Sequence, residues 1–109
     1  MIIYLASPYS NPDPEIREEN FRKITKIAAE MTSAGEVVIS PITYGHTLVQ
    51  FHQMPTDWEF WQKFCFELLI KCDKMIVCKM DGWDKSRGVD AEIVIARDHG
   101  IPIEYYTPN

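Results

Sequence analysis

Short apolar runs alternate along this chain with longer amphipathic stretches, and this alternation constrains the fold more than any other feature of the sequence. Residues 1–6, 37–39, 74–78 and 101–106 have the apolar, often β-branched character of buried strands. Because Pro102 cannot donate a hydrogen bond to a ladder, we expect the last strand at an edge of the sheet.

Amphipathic helices are predicted between these strands, each with an apolar stripe at helical spacing. The predicted spans are 14–34, from 56 or 57 to 71, and 89–99. Gly35 and Gly100 follow the ends of the first and last of them, as is typical of helix C-termini. Residues 41–55 are ambiguous, since they can hold a short helix at about 44–51 or a loop that builds part of a site.

This order of elements predicts one α/β domain with a parallel sheet between helices on both faces. The length of 109 residues is common for one domain. Ligands of such folds bind beyond the carboxyl ends of the strands. The connections 7–13, 40–55 and 79–88 are therefore expected to converge on one site.

Charge and composition argue against several kinds of partner. The net charge of −5 makes binding to a nucleic acid polymer unfavourable, because such binding depends on Lys and Arg. No run approaches the roughly 20 apolar residues of a membrane helix, and none has the layout of a signal peptide. We therefore expect a cytoplasmic protein without membrane contact. The cysteines and histidines lack metal-ligand spacing, so we expect neither a metal nor another cofactor.

Glu92 is the most informative candidate residue. Helical spacing places it on the same stripe as Val89, Ile93 and Ala96, near the start of a helix that should pack on the sheet. A carboxylate on a buried stripe is costly unless it is paired or used, so this position favours a functional site. The alternative is a first-turn glutamate that interacts with the helix dipole and leans towards solvent.

Ser86, Arg87 and Gly88 lie where a polar loop meets the start of the last helix. Free backbone N–H groups, a hydroxyl and a guanidinium at such a place can together hold a phosphate. The alternative is a capping serine followed by a solvated arginine.

Five other polar side chains are candidates for ligand binding. Tyr4 in the first strand and Ser7 and Tyr9 after it can face the site, although tyrosines also serve as packing residues. His46 can offer a proton near neutral pH, and Asp57 is either a helix cap or a ligand contact.

The absence of common motifs narrows the chemistry. The sequence contains no G-x-G-x-x-G, P-loop or G-x-S-x-G pattern, which argues against dinucleotide oxidoreductases, ordinary NTPases and α/β-hydrolases. A carboxylate-centred site remains. Such a site suits substitution at the anomeric carbon of a sugar, where a carboxylate can attack or stabilise an oxocarbenium-like transition state.

Two segments, 3–9 (Ile-Tyr-Leu-Ala-Ser-Pro-Tyr) and 86–96 (Ser-Arg-Gly-Val-Asp-Ala-Glu-Ile-Val-Ile-Ala), resemble the nucleoside 2-deoxyribosyltransferase superfamily. The superfamily includes deoxynucleoside 5′-monophosphate N-glycosidases. Residues 57–61 and 82–83 add to this likeness, which is closest to a poorly characterised bacterial and phage branch of the superfamily. It implies a single Rossmann-like (flavodoxin-like) three-layer domain over residues 1–109 with four to five parallel strands. It also implies a homo-oligomer, a dimer or larger, that binds a small nucleotide or nucleoside.

The resemblance also implies roles for individual residues. Gly88 to Glu92 matches the Gly-x-x-x-Glu spacing of the superfamily, so Glu92 corresponds to the nucleophile and Tyr4 to the tyrosine that assists it. Ser86 takes the position that contacts the 5′ end of the sugar, where the nucleotide glycosidases carry serine. The implied activity is cleavage or transfer at the base–sugar bond of a (deoxy)nucleoside 5′-monophosphate.

Cys65 departs from the superfamily pattern. Members usually carry an aspartate here, eight residues before the acidic residue matched by Asp73, and it helps to bind or protonate the leaving base. A thiol is a weak donor. The departure leaves two alternatives: another residue, such as Asp57 or His46, serves the base, or the domain is a nucleotide-binding sensor or sponge that does not turn its ligand over.

Overall fold

A four-stranded parallel sheet forms the centre of the computed structural model, which describes residues 1–108. Its strands are β1 (Ile2–Ala6), β2 (Val37–Ile39), β3 (Lys74–Cys78) and β4 (Ile103–Tyr106). They lie in the order β2-β1-β3-β4, and all neighbours pair in parallel. The predicted fold class is confirmed, and β4 lies at an edge of the sheet, as Pro102 indicated.

Four α-helices connect the strands: α1 (Pro14–Ser33), α2 (Pro41–Phe51), α3 (Trp58–Leu69) and α4 (Arg87–Asp98). Their N-terminal caps are Asp13, Ser40, Asp57 and Ser86, each of which accepts a hydrogen bond from a backbone N–H in the first turn. None of the described helices is long and apolar enough to cross a membrane.

The N-termini of two helices differ from the predicted ones. The ambiguous segment 41–55 contains a helix that begins at Pro41 rather than near 44, because Ser40 caps it and proline fits the first helical position. Similarly, α4 begins at Arg87 rather than at Val89, because Ser86 is its cap.

The two faces of the sheet are covered by different helices. Alternate side chains of a strand point to opposite faces. Ile3 and Leu5 pack with Ile24 and Ile27 of α1, whereas Tyr4 and its neighbours on the other face pack with α3 and α4. The sheet is therefore the middle of three layers, and Tyr4 belongs to the layer that also contains Cys65 of α3 and Val89 of α4.

Candidate active site

A cavity of about 340 Å³ opens at the carboxyl end of the sheet. Side chains from all three connections that were expected to converge line its wall, including Ser7 after β1, His46 after β2 and Ser86 before α4. The first turns of α3 and α4 complete it. The cavity lies where ligands bind in parallel α/β sheets.

Glu92 lies in the wall of this cavity with only 4% of its surface exposed. The hydroxyl of Tyr4, itself fully buried, donates a hydrogen bond to Oε2 of Glu92. Burial raises the pKa of Glu92 to about 7, although hydrogen bonds from Tyr4 and Cys65 oppose this rise. The alternative in which Glu92 leans towards solvent is wrong, since the carboxyl group is enclosed by protein.

Burial raises the pKa of Tyr4 well above its usual value, and the charge of Glu92 raises it further. The phenol therefore stays protonated at neutral pH and acts as a permanent donor to Glu92. It holds the carboxyl group in one orientation at the cavity wall. The structure brings these two residues together across 88 positions of sequence.

Cys65 lies on α3 beside this pair and is 5% exposed. Burial, with the charge of Glu92, raises the pKa of the thiol to about 12. The thiol therefore remains neutral at physiological pH and is a poor source of protons. Where the resemblance expects a carboxyl group, this site holds a weak hydrogen-bond donor.

Ser86 caps α4, because its Oγ accepts a hydrogen bond from the backbone N of Val89 at 3.2 Å. The capping interpretation is therefore confirmed, and the hydroxyl proton of Ser86 is still free to donate at the cavity wall. The guanidinium of Arg87 pairs with Glu59 at the rim, where both side chains are largely exposed. Exposed pairs of this kind contribute little and exchange readily.

Two indole rings form walls of the cavity. A Cβ at Gly88 would lie 3.2 Å from Cε3 of Trp58, and one at Gly45 would lie 3.4 Å from the ring of Trp61. Trp58 is thus seated against the start of α4, and Trp61 against α2. The two glycines allow this close approach.

Ser7 is 5% exposed, and its Oγ has no hydrogen-bond partner within residues 1–108. Leaving a buried hydroxyl unpaired costs about 1–3 kcal/mol. Because Ser7 lines the cavity, a polar group of a ligand can form a hydrogen bond with its hydroxyl.

Asp57 also lines the cavity, but its carboxylate accepts a hydrogen bond from the backbone N of Phe60 at 3.2 Å and so caps α3.

Tyr9 and His46 lie in contact at the cavity wall. Oη of Tyr9 is 2.6 Å from Nδ1 of His46, and Nε2 of His46 is 2.6 Å from Oε2 of Glu18. Tyr9 and His46 were each predicted as site residues, whereas Glu18 was not. No spacing links Glu18 to the other two, because the three residues come from three different elements.

Lys85, Trp58 and Trp61 also line the cavity, although they were not predicted to do so. An apolar stripe on a helix does not reveal whether it faces a core or a cavity. The acidic partner of Arg87, Glu59, precedes it by 28 residues and is likewise not evident from the sequence. Within residues 1–108, no cluster of three or more His, Cys, Asp or Glu is arranged to hold a metal ion.

The chain is similar to a described protein family and to a solved enzyme structure. A family model described as "Domain of unknown function (DUF1937)" matches residues 1–107. A solved 2-deoxyribosyltransferase from the psychrotolerant bacterium Bacillus psychrosaccharolyticus superposes with a TM-score of 0.64 and 23% sequence identity, over 100% of this chain and 74% of that one. No curated protein matches the chain. The structural likeness confirms the flavodoxin-like fold.

Proposed function

The chain belongs to the family described as "Domain of unknown function (DUF1937)", and we propose that it is an N-glycosidase or deoxyribosyltransferase acting on a (deoxy)nucleoside 5′-monophosphate. The observation that carries the proposal is the enclosed carboxyl group of Glu92, held by Tyr4 in the wall of a cavity at the carboxyl end of the sheet. The resemblance to the nucleoside 2-deoxyribosyltransferase superfamily supports it.

In the first step, the ionised carboxylate of Glu92 attacks C1′ of the sugar while the bond to the base breaks. The transition state has oxocarbenium character and is stabilised by the adjacent negative charge. The product is a glycosyl ester on Glu92. Because the pKa of Glu92 is about 7, its carboxylate is more basic than an exposed one and is fully formed only above neutral pH.

Tyr4 keeps the attacking oxygen in place. Its hydroxyl donates to Oε2 of Glu92, which leaves Oε1 available for attack. In the second step, water attacks C1′ and releases the sugar phosphate, or a second base attacks it and completes transfer. In both cases Glu92 is restored as a carboxylate.

The start of α4 is the proposed site for the 5′-phosphate. The first-turn N–H groups of a helix attract anions, and Ser86 can donate its hydroxyl proton there. Lys85 and Arg87 add positive charge at the same end of the cavity. Binding a phosphate would exchange the exposed pair of Arg87 with Glu59 for a pair with the ligand.

A second candidate function is favoured by Cys65. Since the neutral thiol beside Glu92 cannot replace a carboxyl group as a proton donor, the domain can instead bind a nucleotide without cleaving it, as a sensor or sponge. In this case the same residues would hold the ligand, and the base–sugar bond would stay intact.

Incubation with a panel of deoxynucleoside 5′-monophosphates and the matching nucleosides distinguishes the two functions. We expect free base from at least one monophosphate, measured by chromatography, and slower release from its nucleoside because α4 would lack a phosphate to bind. If no base appears, and titration calorimetry shows tight binding of a nucleotide that is recovered intact, the enzyme proposal fails and the sensor is supported.

We also propose that the protein forms a homo-oligomer. Phe51 is 74% exposed and Phe60 is 46% exposed, and they belong to the cavity-forming helices α2 and α3, respectively. Large exposed aromatic side chains commonly mark association surfaces. Light scattering at micromolar concentration is expected to give at least a dimer mass, and a Phe51→Asp variant a smaller mass. A monomeric wild type would contradict the proposal.

A further inference from the structure

A continuous hydrogen-bonded chain runs from α1 into the cavity through three side chains. Glu18 on α1 contacts Nε2 of His46 on α2, and Nδ1 of His46 contacts Oη of Tyr9, with both distances at 2.6 Å. His46 is 8% exposed, and the ring of Phe21 lies 4.4 Å from it, centroid to centroid. Both ring nitrogens are therefore occupied, and the imidazole is fixed in orientation.

The order of acceptors and donors defines what this chain can do. An ionised Glu18 only accepts, so Nε2 of His46 carries a proton. When the imidazole is also protonated at Nδ1, it donates to Oη of Tyr9, and the hydroxyl proton of Tyr9 is free to enter the cavity. If Tyr9 then loses this proton to a ligand, His46 can protonate Tyr9 again.

Other charged groups around these three side chains are compatible with proton transfer from His46 to Tyr9. Arg22 lies 3.4 Å from Oε1 of Glu18, so a guanidinium contacts the carboxyl oxygen that does not face the imidazole. Burial raises the pKa of Tyr9, the charge of Arg17 opposes this, and the charge of Glu18 adds to it. Tyr9 therefore holds its proton until a base accepts it.

This hydrogen-bonded chain reaches the cavity wall through Tyr9 and His46, and the same cavity is lined by Glu92 and by the start of α4. His46 follows Gly45, which contacts Trp61, whereas Gly88 at the start of α4 contacts Trp58. A nucleotide with its phosphate at α4 and its C1′ at Glu92 would extend its base towards Trp61 and Tyr9. Cys65, with a pKa of about 12, is a much weaker proton donor there than the carboxyl group that the resemblance expects.

We propose that Tyr9 protonates the departing base and is resupplied by His46, which Glu18 holds in place. This inference rests on the proposed function and assigns the proton donor that Cys65 does not provide. Tyr9 is the catalytic residue of the three, and His46 and Glu18 are positioning residues that act through it.

The protons and electrons of the step balance. As the bond from C1′ to the base breaks, its electron pair goes to the base nitrogen, and the base takes the hydroxyl proton of Tyr9. The Nδ1 proton of His46 passes to Tyr9, which leaves a neutral imidazole. In the hydrolytic step, the water that attacks C1′ gives a proton to Tyr9, and His46 is protonated again through it.

Substrates with different leaving groups test the proposal. An N7-methylated purine carries a positive charge and leaves as a neutral base without a proton, whereas the unmethylated purine needs one. We expect Tyr9→Phe to slow release from the unmethylated deoxynucleotide by about 10²- to 10⁴-fold. Release from the methylated deoxynucleotide should change little. His46→Gln, which keeps hydrogen-bonding groups but cannot carry the proton, should show the same selective loss.

Thr25→Val is the matched control. Thr25 and Thr43 form a 2.8 Å hydrogen bond between α1 and α2, the helices that Glu18 and His46 also connect, but neither lines the cavity. The control should cleave both substrates as the wild type does. Equal slowing of both substrates by Tyr9→Phe and His46→Gln, or no slowing, overturns the proton-donor role. If the wild type cleaves neither substrate, the proposed function itself fails, and the proton-donor role fails with it.

Discussion

Replacing Glu92 by Gln is expected to slow release of free base by about 10⁴- to 10⁶-fold, the loss typical of removing a catalytic nucleophile. The amide has nearly the shape of the carboxyl group and can still accept the hydrogen bond from Tyr4, but it cannot form the glycosyl ester. The measurement is single-turnover release of base from the best deoxynucleotide substrate, followed by chromatography.

Asp90→Asn provides the control for this result. Asp90 lies on the same helix, α4, and undergoes the same change from carboxylate to amide, but it is exposed and does not line the cavity. Its rate should match that of the wild type. A Glu92→Gln variant that keeps its activity to within tenfold would falsify the assignment of Glu92 as the nucleophile.

The same substitution is expected to make the protein more stable above neutral pH. Burial raises the pKa of Glu92 from 4.5 to about 7, so the folded protein keeps a proton that the unfolded chain releases between these values. The stabilisation from this proton is complete below about pH 4.5 and is lost as pH rises to about 7. The loss amounts to roughly 3 kcal/mol in the free energy of unfolding.

Glu92→Gln removes this loss because the amide does not ionise. At pH 7.5 we expect the variant to exceed the wild type in free energy of unfolding by an amount approaching roughly 3 kcal/mol, with a much smaller difference at pH 4.5. Urea denaturation at both pH values measures it. Asp90→Asn, an exposed substitution, should show no such pH-dependent gain. Parallel pH profiles for Glu92→Gln and the wild type would contradict the buried, proton-binding carboxyl group.

Together, the expected loss of activity and the expected gain in stability of Glu92→Gln indicate that the buried carboxyl group lowers the stability of the protein but is needed for its reaction. An inactive variant that folds better is the behaviour expected when a protein retains a destabilising group for its chemistry. A buried Glu92 with no catalytic role would show the same gain in stability but would leave the activity unchanged, so the activity result distinguishes the two cases.

Much of the fold could be predicted because local sequence patterns indicate its helices and strands. The spacing of apolar residues identified β1, β3, α1 and α3, and Pro102 placed β4 at an edge. Glu92 was predicted to lie on a buried stripe for the same reason, since helical periodicity fixes which face a residue occupies. Boundaries at α2 and α4 were displaced because Ser40 and Ser86 act as caps, which the apolar pattern does not show.

The parts of the site that were missed depend on contacts between distant segments. Glu18 contacts His46, a residue of the cavity wall, only because α1 and α2 pack together. Trp58 and Trp61 have the spacing of core residues, and only the positions of Gly45 and Gly88 turn them into walls of a cavity. Such arrangements follow from tertiary packing, which no local pattern encodes.

Covalent trapping tests the central claim, that Glu92 attacks C1′ of the sugar, most directly. A fluorine at C2′ of the deoxynucleotide destabilises the oxocarbenium-like transition state and prolongs the life of a glycosyl ester. After incubation with such a substrate, mass spectrometry should show the wild type heavier by one fluorinated sugar phosphate, located on Glu92, and Glu92→Gln unchanged. Release of base by the wild type with no adduct on Glu92, or an equal adduct on the variant, would contradict the claim.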